Sequence, residues 1–93
     1  MIEKEAALPE GERMDFVSIV TPNHVHFGPA MMALEHGFHV VLDKPMTYTL
    51  DEAKQLRDKV KETGKLFMLT HTYTAYPMVK EARERVRLSL IHI

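Results

Sequence analysis

The chain of 93 residues contains no cysteine, which removes both a disulfide framework and thiolate chemistry from consideration. Glycine is scarce: four stand singly at positions 11, 28, 37 and 64, so no G-x-G-x-x-G turn exists to cradle a phosphate. Neither sign of charge dominates, with 12 Lys and Arg against 13 Asp and Glu. A formal net charge of −1 supplies no strong field for nucleic acid or an anionic membrane. The most basic stretch, Lys80 to Arg87, is interleaved with Glu81 and Glu84. No apolar run approaches a membrane span. Met1 is followed by Ile-Glu-Lys-Glu rather than by a basic start and an apolar core, so no signal peptide is expected and a cytoplasmic protein is the default.

What is present has globular character. Hydrophobic residues make up 45% and charged residues 27%, close to the average for folded domains and unlike disordered chains or coiled coils. The length allows one small domain or part of one, with a thin stability margin.

The chain is organised around Val40-Val41-Leu42-Asp43-Lys44-Pro45. A β-branched and aliphatic run without charge reads as a strand buried on both faces, and polar chemistry begins where it stops. Before it, Asp15 to Val20 reads as a strand ending at Thr21-Pro22-Asn23-His24. His26 to His36 follows as a helix, with Pro29 in its first turn and Gly37 beyond its end, as helix signals require. Phe38 to Leu42 is the second strand. Thr49-Leu50-Asp51-Glu52 is a capping-box pattern that opens a helix running to about Thr63 and stopping at Gly64. Leu50, Ala53, Leu56 and Val60 form its apolar stripe. Lys65 to Thr70 is the third strand, and a last helix runs from Tyr76 or Pro77 to about Arg87. Residues 1 to 7 have helical composition but too few residues to hold a helix alone, and Leu8 to Glu12 is a turn.

The alternation βαβαβα implies an α/β fold with three parallel strands and alternating helices. Parallel strands end on one edge of the sheet, so Thr21-Pro22-Asn23, Asp43-Lys44-Pro45 and His71-Thr72-Tyr73 are expected to face one crevice, where open parallel sheets bind ligands.

Asp15 to Met46 (DFVSIVTPNHVHFGPAMMALEHGFHVVLDKPM) resembles the Gfo/Idh/MocA family of NAD(P)-dependent oxidoreductases. A TPN-x-x-H pattern, an apolar helix closed by glycine and a strand ending in an acid, lysine and proline occur together at the family's spacing. The likeness continues to about Arg85. It implies a partial Rossmann fold, the second half of a dinucleotide-binding domain over residues 1–87. It also implies NAD or NADP as cofactor, a sugar or polyol substrate, and a homo-oligomeric parent enzyme.

The resemblance further implies site roles. Thr21, Pro22 and Asn23 line the nicotinamide end of the cofactor, with His26 at the mouth of the following helix. Asp43 falls where the family has an acid beside the nicotinamide ribose, Lys44 where a catalytic lysine reaches nicotinamide and substrate hydroxyl, and Pro45 where a cis proline is usual. The family more often has Glu at position 43, and the shorter Asp bears on whether the ribose is met directly or through a water. His71, Tyr73 and Tyr76 are candidate contacts to a polyhydroxy substrate, although tyrosines at strand ends also serve simply as packing.

The likeness also implies that the first half of the Rossmann domain and the substrate domain are missing. Met1 then reads as an internal residue, and residues 88–93 (Leu-Ser-Leu-Ile-His-Ile) read as a foreign tail. The expectation is a fragment without activity of its own, with a self-contained, non-catalytic α/β binding or interaction module as the alternative. His24 and His26 lack a third ligand nearby and are read as solvent-facing or helix-capping rather than metal-binding. Met31, Met32 and Met68 are read as gap-filling core. The strand Phe16 to Val20 is expected to expose an apolar edge that favours association.

Overall fold

The computed structural model describes residues 1–89. Residues 90–93, most of the stretch read as a foreign tail, lie outside the described residues. The elements run α1 (Ile2–Ala6), β1 (Phe16–Ile19), α2 (Phe27–Glu35), β2 (His39–Leu42), α3 (Leu50–Thr63), β3 (Phe67–Leu69) and α4 (Pro77–Arg87). Single 3₁₀ turns at Asn23–Val25 and Thr72–Ala75 follow β1 and β3. The three strands form one parallel sheet in the order β1-β2-β3, the α/β arrangement expected of a partial Rossmann fold. Each strand is one or more residues shorter than the stretch expected from the sequence, with Val20, Phe38 and Leu66 outside the assigned strands.

The capping box at the start of α3 is complete. Thr49 Oγ1 accepts the Glu52 N–H at 3.3 Å, and Glu52 Oε2 accepts the Thr49 N–H at 3.1 Å. These bonds satisfy donors that the first turn of a helix leaves free. Gly64 closes the same helix at φ 65°, a left-handed conformation that residues with a Cβ adopt only at a cost. Lys59 joins α3 to α2, reaching Glu62 at 3.1 Å and Glu35 at 3.7 Å. Glu62 above all, then Glu35, holds its ammonium group above the ordinary lysine range.

The core lies on one face of the sheet. Val17, Ile19, Val40 and Leu42 point inward and pack with Ala30, Ala33 and Leu34 of α2, Phe38, Leu56 of α3 and Ile2 of α1. The parallel register sets Val17 beside Val40 and Ile19 beside Leu42, so the inward set is continuous across the strands. This corrects the reading of β2 as buried on both faces: Val40 and Leu42 are buried, while His39 and Val41 are only half-covered. Both crossover helices serve the same side, since α2 packs against β1 and β2, and α3 packs against α2.

The opposite face carries Phe16 at 54% exposure and Met68 at 57%. Met68 and the exposed Met32 are therefore not core; of the three methionines expected there, Met31 alone packs against it. Leu50, placed in the apolar stripe of α3, is 69% exposed, so the stripe does not begin at the first residue of the helix. β1 is an edge strand, and an apolar face beside a free edge favours association. Met68→Lys is expected to raise the concentration at which the chain remains monomeric, read by light scattering after size exclusion. An unchanged onset of association would remove this face as its cause.

Candidate functional site

The carboxyl ends of the three strands form a polar rim. After β1 the chain passes through Thr21 and Pro22 into the 3₁₀ turn that begins at Asn23. The Val25 N–H donates to the Pro22 carbonyl at 2.8 Å, and Thr21 Oγ1 donates to the Val25 carbonyl at 3.3 Å. Thr21, Pro22 and Asn23 are exposed on this turn. After β2, the Asp43 N–H donates to the Ile19 carbonyl at 3.0 Å, and the Thr70 N–H donates to the Leu42 carbonyl at 2.9 Å. The ladder therefore continues one residue past β2 and β3 and holds the starts of these two connections level.

Asp43 is half-buried. Its Oδ1 accepts the Thr70 hydroxyl at 2.7 Å. That bond first, and the Lys44 backbone N–H second, hold its carboxyl below the ordinary aspartate range, with smaller contributions from the charges of Lys44 and His26 and against the desolvation of partial burial. Thr70 had not been singled out from the sequence. Its signal was the register: Leu42 pairs with Leu69, so the next residues along, Asp43 and Thr70, stand side by side.

A lowered carboxyl pKa has a defined sign. Asp43 contributes stability at pH values above the unfolded value, about 3.9, and loses that contribution as pH falls through its depressed folded value. Thr70→Val is expected to move the Asp43 titration midpoint upward toward the ordinary value, followed by carboxyl carbon NMR. A midpoint that did not move would show that the hydroxyl is not the main stabiliser of the anion.

Lys44 is exposed, and its Nζ stands 5.6 Å from the centre of the Tyr73 ring, within the range of a cation–π contact. Tyr73 meets Tyr76 edge to face, with ring centres 5.5 Å apart and planes at 82°. The structure thus brings Lys44 to Tyr73, which in turn packs against Tyr76. The Lys44–Pro45 peptide is cis. His71 is exposed at the entrance to the same turn, where its carbonyl accepts the Thr74 hydroxyl at 2.6 Å.

The two histidines of the TPN segment diverge. His24 is exposed, whereas His26 is completely buried, so the reading of both as solvent-facing or helix-capping is corrected for His26. Its backbone occupies the N-cap position of α2, but its side chain makes no capping bond. Instead, Nδ1 lies 2.7 Å from the Pro45 carbonyl and Nε2 lies 2.8 Å from the Thr21 carbonyl. The ring spans the first two loops of the rim, and its interior position depends on how those loops cross, which chain order alone does not reveal.

The rim is an open shelf. A concave space of about 420 Å³ lies against the apolar sheet face, lined by residues including Phe16, Val41 and Met68. A polar one of about 170 Å³ lies at the amino ends of the strands, between Arg13, Asp15 and Lys65. Neither includes Asn23, Lys44 or Tyr73.

Residues 2–71 match the model of the oxidoreductase family with an NAD-binding Rossmann fold, Gfo/Idh/MocA. The chain belongs to this family. An oxidoreductase from Sinorhizobium meliloti superposes on 95% of the chain with a TM-score of 0.73 and 46% identity, the match covering 25% of that protein. An inositol dehydrogenase homolog from Azotobacter vinelandii, crystallised with NADH and myo-inositol, superposes on 98% with a TM-score of 0.74 and 34% identity, covering 24% of that protein. The scyllo-inositol 2-dehydrogenase (NAD(+)) of Bacillus subtilis is 34% identical over 83% of the chain and 22% of its own length. The chain spans between 17% and 23% of the curated relatives that it matches.

The donor set fits one end of a dinucleotide. Asp43 retains acceptor capacity after bonding Thr70, since a carboxylate offers about four lone-pair sites, and exposed Asn23 and Lys44 add an amide and a cation. The four glycines stand elsewhere: none lies within the three rim segments. These groups can meet a polar, hydroxyl-bearing ligand, and the chain supplies no glycine-rich turn for a pyrophosphate.

Proposed function

We propose that this chain forms the nicotinamide half of the cofactor site in an enzyme that moves a hydride between a sugar or polyol hydroxyl carbon and NAD or NADP. The observation that carries the reading is the pair of contacts at the carboxyl ends of adjacent parallel strands, Asp43 with Thr70 and Lys44 with Tyr73, in a chain whose family binds NAD.

Bound nicotinamide supplies the hydride acceptor. The protein residues position the reactants and handle the proton that leaves the substrate oxygen. Thr21, Pro22 and Asn23 flank the nicotinamide from the β1 side, and Asp43 accepts from its ribose. Lys44 faces the substrate hydroxyl, holding positive charge where the alkoxide develops and exchanging the departing proton. Tyr73 and Tyr76 present ring faces and hydroxyls suited to a polyhydroxy ligand, with His71 beside them. Tyr73 also limits the directions open to the Lys44 side chain. His26 acts behind this surface, since its ring is buried.

By itself the chain is expected to be inactive, because it has no turn to hold the pyrophosphate and its shelf excludes little water. The parent enzyme is proposed to be a cytoplasmic homo-oligomer. Among the described residues, no helix is long and apolar enough to cross a membrane. Fluorescence titration with NADH and NADPH of a chain of the relatives' full length carrying this segment tests the assignment. Saturable binding supports it, and absence of binding to either dinucleotide would refute it.

A further inference from the structure

The residues assigned above leave one buried titratable group without a chemical task. Among the described residues, His26 is the one polar or charged side chain that is fully buried with the core. Both of its ring nitrogens face main-chain carbonyls, Pro45 at 2.7 Å and Thr21 at 2.8 Å. A carbonyl oxygen can only accept. A neutral imidazole has one N–H and one bare nitrogen, so it would bond one carbonyl and press a lone pair against the other.

We propose that His26 is a positioning residue, held as the doubly protonated imidazolium, whose two N–H groups fix the Thr21 loop and the Pro45 turn relative to each other. Its meaning for catalysis rests on the dehydrogenase reading, but its protonation and its clamp stand on the geometry alone. The two segments that it joins carry Thr21–Asn23 on one side and Asp43 and Lys44 on the other. A fixed separation between them is what a nicotinamide contacted from both sides requires.

The surrounding charges act in both directions. Burial, the positive end of α2 and nearby Lys44 oppose a cation here. Two charge-assisted hydrogen bonds and the Asp43 carboxylate favour it. The other titratable groups on the rim segments are His24 in the same turn and His71, Tyr73 and Tyr76 after β3, and none of them carries a carboxylate.

The test uses the intact chain labelled with ¹⁵N-histidine, its ring nitrogens observed by long-range proton–nitrogen correlation at neutral pH. The expected result is two protonated ring nitrogens for His26, and a single bare nitrogen would overturn the proposal. A second measurement uses His26→Gln, whose amide cannot donate to both carbonyls across the span of an imidazole. Amide exchange at Val25 and Asp43, whose N–H groups are bonded to the Pro22 and Ile19 carbonyls, is expected to quicken at least tenfold, while amides within α3 keep their protection. Unchanged exchange at the rim in the folded variant would overturn the clamp. If α3 also lost protection, the variant would have unfolded and the ring measurement on the unsubstituted chain would decide. Neither measurement uses a dinucleotide, so failure of cofactor binding would refute the enzymatic reading and leave this result standing.

Discussion

Lys44→Ala, in a chain of the relatives' full length, is expected to lower kcat on a polyol substrate by about 10²–10⁴-fold, the range for losing a positioned proton-transfer group. Dinucleotide affinity is expected to change far less, because other rim groups also meet the nicotinamide end. The split matters: an interaction made mainly in the transition state lowers kcat, whereas one made equally in the ground state raises KM. Lys44→Arg sharpens the test. Arginine keeps the charge but cannot release its proton and needs a planar partner, so it is expected to recover little activity. Turnover of Lys44→Ala equal to that of the unsubstituted enzyme on every polyol tried would end the catalytic assignment. Tyr73 sets the geometry behind this effect: its ring lies 5.6 Å from Nζ, an exposed contact worth about 0.5–1 kcal/mol. It can bias the direction of the lysine without holding it rigidly.

Phe38→Ala is expected to produce the largest loss of stability. Phe38 is the largest fully buried side chain among the described residues, and removing a core phenylalanine costs about 3–5 kcal/mol. A domain of this size has about 5–14 kcal/mol in total at 0.05–0.15 kcal/mol per residue, and a sheet covered on one face belongs at the low end. The variant is therefore expected to lose most or all of its cooperative thermal transition, followed by circular dichroism. Phe16→Ala is the control. It removes the same ring from the open face, where the side chain is 54% exposed, so its midpoint is expected to stay close to that of the unsubstituted chain. Equal losses from both would contradict the one-sided core.

Much of this was legible in the order of residues. Gly37, Gly64 and the Thr49–Glu52 box are local devices whose geometry is set within a few positions of chain, and each is found in the role expected of it. The strand cores were readable for a related reason: β-branched runs bounded by Gly or polar residues favour extended backbone. The one-sided burial of β2 was not readable, because Val40 and Val41 are chemically identical and only the placement of α2 and α3 on one side distinguishes them. Leu50, Met32 and Met68 were misplaced by the same limit, since an apolar side chain does not state whether anything will cover it.

The site divides along the same line. The order of residues determined the family, the parallel strand order, and hence that Asn23, Lys44 and Tyr73 follow strands ending on one edge. Tertiary structure alone decided that Thr70 bonds Asp43, that Lys44 stands over Tyr73, and that His26 is buried between Thr21 and Pro45. The physical reason is range. Caps, turns and strand propensity act over three or four residues, whereas these contacts join positions 19 to 29 residues apart, or in the case of Thr21 and His26 depend on a turn packed beneath another loop.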